Sequence, residues 1–224
     1  MSNQLTLLLT LVMIVTTKTF GQVLKDTVVD IDGNVYQTVR IGTQIWMVEN
    51  LNVTHYSNGE KILNISPDTL HWSIDTTAHY FNYNNDSAIS IDYGRLYNWY
   101  TVNDNRKICP VGWHIPSDSE WTILINYLGG ENEAGGKMKE KGTLHWISPN
   151  IAATNSSKFT AIPCGAYFEN KFDGAGGVCM WWTSTELTYG SSDAWCRYII
   201  YSEASIHSEH FEKSRGFSVR CVKN

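Results

Sequence analysis

Hydrophobic and polar positions divide the chain into stretches with different periods. Leu5 to Val15 is an eleven-residue apolar run broken only by Thr6 and Thr10. A bilayer span needs about 20 such residues, so the run is too short to cross one. It matches the apolar region of a secretory signal peptide. Thr19 and Gly21 stand at −3 and −1 for a cut before Gln22, although Met1–Gln4 carries no Lys or Arg. Residues 1–21 are therefore expected to be a signal peptide, residues 22–27 a tail, and residues 28–223 one domain. An uncleaved anchor is the alternative reading of the apolar run.

Beyond it, Val28 to Tyr36 alternates and predicts a hairpin turning at Asp32-Gly33. Asp30, Asp32 and Asn34 alternate like the start of a calcium loop, but no Glu stands at the twelfth loop position, which favours the turn. Val35–Arg40 and Ile45–Val48 predict strands joined near Gly42. Asn52 to Ile91 is polar with scattered aromatics and is expected to be a long loop with little regular structure. Leu96, Trp99, Tyr100 and Asn103 follow helical spacing and predict a short helix over Gly94–Val102. Ser117 and Glu120 form a capping box, and Trp121, Leu124, Ile125 and Leu128 make one apolar stripe ended by Gly129-Gly130. Phe159–Pro163, Met180–Ser184, Ala194–Tyr201 and Phe217–Val222 predict further strands. Short helices followed by short strands indicate an α+β fold.

Composition narrows the function classes. The 224 residues carry a net charge of −5, 12% aromatic and 17% charged residues. Disorder needs few aromatics and many charges, so it is excluded. Nucleic-acid binding needs clustered positive charge, so it is not expected either. Nine tryptophans and five cysteines stand out. Export would place the cysteines where they pair, and an odd number leaves at least one thiol over. No C-x-x-C pair occurs. Spacing alone leaves the pairing open.

Several motifs carry a family resemblance. Ile45-Trp46-Met47-Val48-Glu49-Asn50-Leu51, Tyr93-Gly94-Arg95-Leu96-Tyr97-Asn98-Trp99-Tyr100 and Cys109-Pro110-Val111-Gly112-Trp113-His114-Ile115-Pro116-Ser117 follow one another in order. Ala134-Gly135-Gly136-Lys137-Met138-Lys139, Ala153-Thr154-Asn155 and Gly216-Phe217-Ser218-Val219-Arg220-Cys221-Val222 continue them. Together they resemble the Fibrobacter succinogenes major paralogous domain from about Val28 to Val222. That resemblance implies a C-type-lectin-like fold related to the sulfatase-modifying-factor branch. Two short helices would pack on short antiparallel strands with long loops, and the last strand would lie beside the first. It also implies a Cys109–Cys221 disulfide. Of the remaining three cysteines, Cys164 and Cys179 are the preferred second pair over any pair with Cys196.

The resemblance raises two specific chemistries. Formylglycine-generating factors work through a close cysteine pair that binds copper. Here Cys196 and Cys221 are far apart in sequence, and a Cys221 bound to Cys109 is no thiolate. Calcium-dependent lectins use E-P-N or Q-P-D loops and a W-N-D strand, none of which occurs; Trp182-Thr183-Ser184 lacks the acid. His207 and His210 with Glu203, Glu209 and Glu212 would share a face only on a helix, and a solvated loop is the plainer expectation. Asp118 and Glu120 are read as helix-terminus charges. Gly174-Ala175-Gly176-Gly177 is read as a flexible loop. Adjacent strand residues face opposite ways, so one of Trp181 and Trp182 is the candidate ligand contact, with burial of both as the alternative. Trp46, Trp99, Trp113 and Trp121 are expected in the core, with Trp72, Trp146 and Trp195 pinning loops and strands. Asp26-Thr27-Val28, Asp68-Thr69-Leu70, Asp75-Thr76-Thr77 and Asp86-Ser87-Ala88 resemble an O-glycosylation sequon.

The expectation is a non-enzymatic binding or adhesion module with no cofactor. It would act in the periplasm or at the extracellular surface, on a surface protein or a glycan. Neither nucleic acid nor a transmembrane segment in the mature chain is expected.

Overall fold

In a computed structural model that describes residues 26–65 and 76–224, the first hairpin forms where the alternation places it. β1 (Thr27–Val29) pairs antiparallel with β2 (Val35–Ile41). The tip sits at Ile31-Asp32, one residue earlier than expected, with Gly33 at φ +84° and its amide on Asp30 O at 3.1 Å. The Asp30 carboxylate closes the turn. It accepts Asp32 N, Asn34 N, Asn34 Nδ2 and Tyr36 Oη at 2.6–2.9 Å. Protein donors therefore fill its coordination, as a turn requires. β3 (Gln44–Met47) returns from the turn at Gly42 and pairs with β2.

β3 is joined by β13 (Val222–Lys223), with Val222 opposite Trp46, and β13 by β7 (Trp113–His114). The sheet order is β1-β2-β3-β13-β7, so the last strand lies beside the first hairpin. The continuous strand predicted over Phe217–Val222 does not form; only Val222 enters β13. Phe217 and Ser218 make isolated bridges to Tyr97 and Trp181 instead.

The stretch read as one long loop has structure of its own. β4 (Leu63–Asn64) pairs with β5 (His79–Phe81), and β5 with β6 (Leu96–Tyr97). Tyr83–Asn85 is a 3-10 turn, and α1 covers Ile89–Tyr93. Residues 66–75, with Trp72 and the Asp68 sequon, lie outside the described residues, as do residues 1–25. The helix expected over Gly94–Val102 shrinks to α2 (Trp99–Val102), because Leu96 and Tyr97 pair with Phe81 and Tyr80. Asn98 caps it by accepting Thr101 N at 3.1 Å.

α3 (Asp118–Tyr127) carries the capping box read from sequence, with Ser117 N on Glu120 Oε2 at 2.8 Å. The sequence did not announce α4 (Glu131–Met138). Its two glycines lower helix propensity, but tertiary contact demands them. A Cβ on Gly135 would stand 2.1 Å from Ser205 O, and one on Gly136 2.7 Å from Ala152 O. The Ala134–Lys139 motif is thus a close backbone crossing, sealed by Gly136 N on Ala204 O at 2.7 Å.

The second large sheet runs β12-β11-β10-β8-β9. Its strands are β8 (Cys164–Phe168), β9 (Lys171–Ala175), β10 (Val178–Glu186), β11 (Asp193–Ile200) and β12 (His207–Glu212). Phe159–Pro163 is not a strand; the strand begins at Cys164. Gly174 and Ala175 end β9, and Gly176-Gly177 turns the chain into β10, so that segment is a tight link between strands. The first sheet is antiparallel throughout, whereas the other two are mixed, since β8 pairs parallel with β10 and β4 with β5. The fold is α+β, dominated by strands, with four short helices among the described residues.

Candidate functional site

Trp181 and Trp182 face opposite sides of β10, but both are fully buried. Trp182 enters one core cluster with Trp99, Met47 and Phe217. Trp181 enters another with Trp46, Trp121 and Phe159. The period-two rule holds; the inference that one ring reaches a ligand does not, because both faces of β10 are covered. Each indole N–H has an internal acceptor: Asn50 Oδ1 for Trp181 and Tyr97 O for Trp182, at 2.9 and 2.8 Å.

Cys109 and Cys221 form a disulfide with Cα atoms 6.1 Å apart. Cys164 and Cys179 form a second, 5.0 Å apart. Cys196 is free and fully buried. Burial pushes its thiol well above the usual range, with the Glu209 charge adding to the effect.

The histidine segment is strand β12, not a solvated loop. His207 Nε2 meets Glu203 Oε2 and His210 Nδ1 meets Asp193 Oδ2, both at 2.9 Å. His207 also stacks on Tyr198. Among the described residues no three His, Cys, Asp or Glu side chains converge as a metal site. Asp118 does more than compensate a helix: its Oδ1 takes Nη2 of Arg197 at 2.6 Å, and Arg197 is buried. Thr27, Thr76 and Ser87 of the sequon-like triplets are exposed.

Several concave regions open on the described residues, one of about 320 Å³ beside α4 at Glu133, Lys137, Ala152 and Thr154. Another, about 390 Å³, lies between α2, the Cys109 loop and β7. Exposed Asn103, Lys107, Ser184 and Asn224 line it, together with Trp113 and His114. Trp113 is only partly buried, unlike the other motif tryptophans. His114 is fixed from both sides, Nδ1 to Asn224 Oδ1 at 2.7 Å and Nε2 to Glu120 Oε1 at 2.8 Å. Burial works to raise the Glu120 carboxyl, but hydrogen bonds from Ser117 and His114 outweigh it and hold the pKa below the usual value. The capping box thus orients a groove residue. The groove pairs one aromatic face with hydroxyl, amide, ammonium and imidazole groups. Sequence reading placed Trp113 in the core, since its neighbours in the motif are apolar and nothing local showed the opening beside it.

A third cavity, about 280 Å³, is lined by Val48, Glu49, Asn50, Ile91, Asp92 and Glu140, and by His145, Thr160, Ile162 and Arg220. Arg220 is almost wholly buried. Its Nε and Nη2 donate to Asn50 Oδ1 at 3.1 and 2.7 Å, and its Nη1 to Phe159 O at 2.5 Å. The guanidinium stacks on Phe159 at 4.2 Å from the ring centre. Burial pulls its pKa down to about 9, with Glu49 opposing.

No helix among the described residues is long and apolar enough to cross a membrane. No curated protein matches the chain, and no solved structure matches it. The model of the Fibrobacter succinogenes major domain matches residues 39–223, from the middle of β2 to β13. With that match over most of its length, the chain belongs to the Fibrobacter succinogenes major domain family.

Proposed function

We propose that this chain is an exported bacterial binding module with a C-type-lectin-like fold related to the sulfatase-modifying-factor branch. It acts at the cell surface or in the periplasm by holding a glycan or a surface protein, not by catalysis. The groove at Trp113 carries this reading. A partly buried indole gives a flat apolar face for a sugar ring, and the polar side chains around it supply hydrogen bonds. A rigid disulfide-tied frame suits such a site, since a preorganised surface loses less entropy on binding. Thiol chemistry of the formylglycine type is disfavoured. It needs two accessible thiols, whereas Cys221 is bound to Cys109 and Cys196 is buried.

The test is a glycan array with the purified protein, followed by titration of any hit against Trp113→Ala, Asn103→Ala and Lys107→Ala. Binding that is lost in Trp113→Ala and weakened in the two exposed variants, with melting temperatures kept, supports the reading. Absence of binding to glycans and to isolated surface proteins sinks it.

A further inference from the structure

Arg220 is buried without a direct ion pair, although the Glu49 charge acts on it. Its three hydrogen bonds all go to uncharged oxygens, and no carboxylate lies within ion-pair distance among the described residues. A guanidinium has five N–H donors. Three are used, which leaves one on each terminal nitrogen, the spacing that binds both oxygens of a carboxylate. A buried charge without a partner is costly, and this one lines a cavity. The other charged groups at that cavity are acidic: Glu49, Asp92 and Glu140. Glu140 is engaged by His145 Nδ1 at 2.8 Å, and Glu49 Oε2 by Gln37 N at 2.8 Å. Asp92 is exposed and forms no ion pair among the described residues.

These charges restrict the occupant. A simple anion would meet three carboxylates, and a simple cation would meet a guanidinium that has no direct ion pair. A bound metal ion needs converging ligands, which these residues do not provide. A molecule with one carboxylate and one ammonium satisfies both. The cavity of about 280 Å³ is below the size of drug-sized sites, and Val48, Ile91 and Ile162 give it apolar walls. Ile91 is 76% exposed, an apolar side chain left uncovered at the cavity.

We propose that this cavity binds a free α-amino acid with an apolar side chain, its carboxylate on Arg220 and its ammonium facing Asp92 and Glu49. The site is separate from the Trp113 groove and does not depend on it.

Calorimetric titration of the purified protein with L-leucine, L-valine and L-phenylalanine tests this. The controls are N-acetyl-L-leucine, which lacks the ammonium, and L-leucine amide, which lacks the carboxylate. At least one free amino acid should bind, and both of its blocked forms should bind at least about tenfold more weakly. Asp92→Asn, at an exposed position, should weaken the free amino acid and leave the N-acetyl form unchanged. Trp113→Ala should change neither. No heat with any of the three free amino acids overturns the proposal. So does equal binding of either blocked form, an unaltered affinity in Asp92→Asn, or loss of amino-acid binding in Trp113→Ala. Glycan binding measured on the same samples reports on the groove by itself, so the two sites fail independently.

Discussion

Trp181 donates its indole N–H to the same Asn50 oxygen that receives Nε and Nη2 of Arg220. One amide therefore ties β10 to the segment that precedes β13. Asn50 Nδ2 adds Tyr93 O at 3.0 Å, on the last residue of α1. Asn50 and Arg220 both stand in motifs that recur in the resemblance, 170 residues apart. Their contact serves the fold as well as the cavity.

Asn50→Ala should be severely destabilising. It removes the acceptor for a buried charge and for a buried indole. A loss of about 3 kcal/mol or more is expected. The urea midpoint measures it; a change within about 0.5 kcal/mol would show that the network contributes little.

The two disulfides should differ in what they contribute. Cys109–Cys221 closes 112 residues and Cys164–Cys179 closes 15. In the chain-entropy model these correspond to about 5 and about 3 kcal/mol. Paired Cys→Ser replacement of the long staple should therefore lower the chemical-denaturation midpoint further than replacement of the short one. The reverse order would mean that local packing at β8 and β10 outweighs loop closure.

Lys139 predicts a specific pH dependence. It is fully buried, and its Nζ donates to Ile151 O, Ile200 O and Glu203 O at 2.6–3.0 Å. Burial brings its pKa down from 10.5 to about 8, opposed by the Glu203 charge. Between those values the unfolded chain binds the proton and the folded chain does not. The contribution of Lys139 to stability therefore rises with pH across that window, and below about 8 the cost of the buried charge is constant. Buried tyrosines such as Tyr36 and Tyr97, raised by burial, act oppositely at high pH. The difference between wild type and Lys139→Met isolates the lysine. It should shift in favour of wild type by about 3 kcal/mol from pH 8 to 10.5. A difference that stays flat would place the lysine pKa at its ordinary value.

Cys196 should be silent to a thiol reagent in the folded protein. Burial both shields it and keeps the thiol protonated. Under non-reducing conditions, labelling should be absent in buffer and reach one equivalent in guanidinium. Rapid labelling of the native protein would reopen a reactive role for this residue.

Some elements were legible from local pattern alone. The α3 capping box needs only Ser117 and Glu120 three residues apart, and the β1–β2 hairpin needs only a turn between alternating stretches. The strands at β2, β3, β10 and β11 carry their own period, and the ordered motifs sufficed to identify the family. Contacts across the chain decided the rest. α4 contradicts its glycine content because Ser205 and Ala152 approach its backbone. Leu96 shares helical spacing with Trp99 and Tyr100, but Leu96 and Tyr97 become strand because β5 is there to pair with them. The sequence by itself determined that Trp181 and Trp182 point to opposite sides, since that follows from the geometry of one strand. Only the tertiary structure decided that both sides are interior, that Trp113 borders an open groove, and that Arg220 meets a cavity without a direct ion pair. Burial and charge compensation depend on which distant segments cover a residue, and no local pattern contains that information.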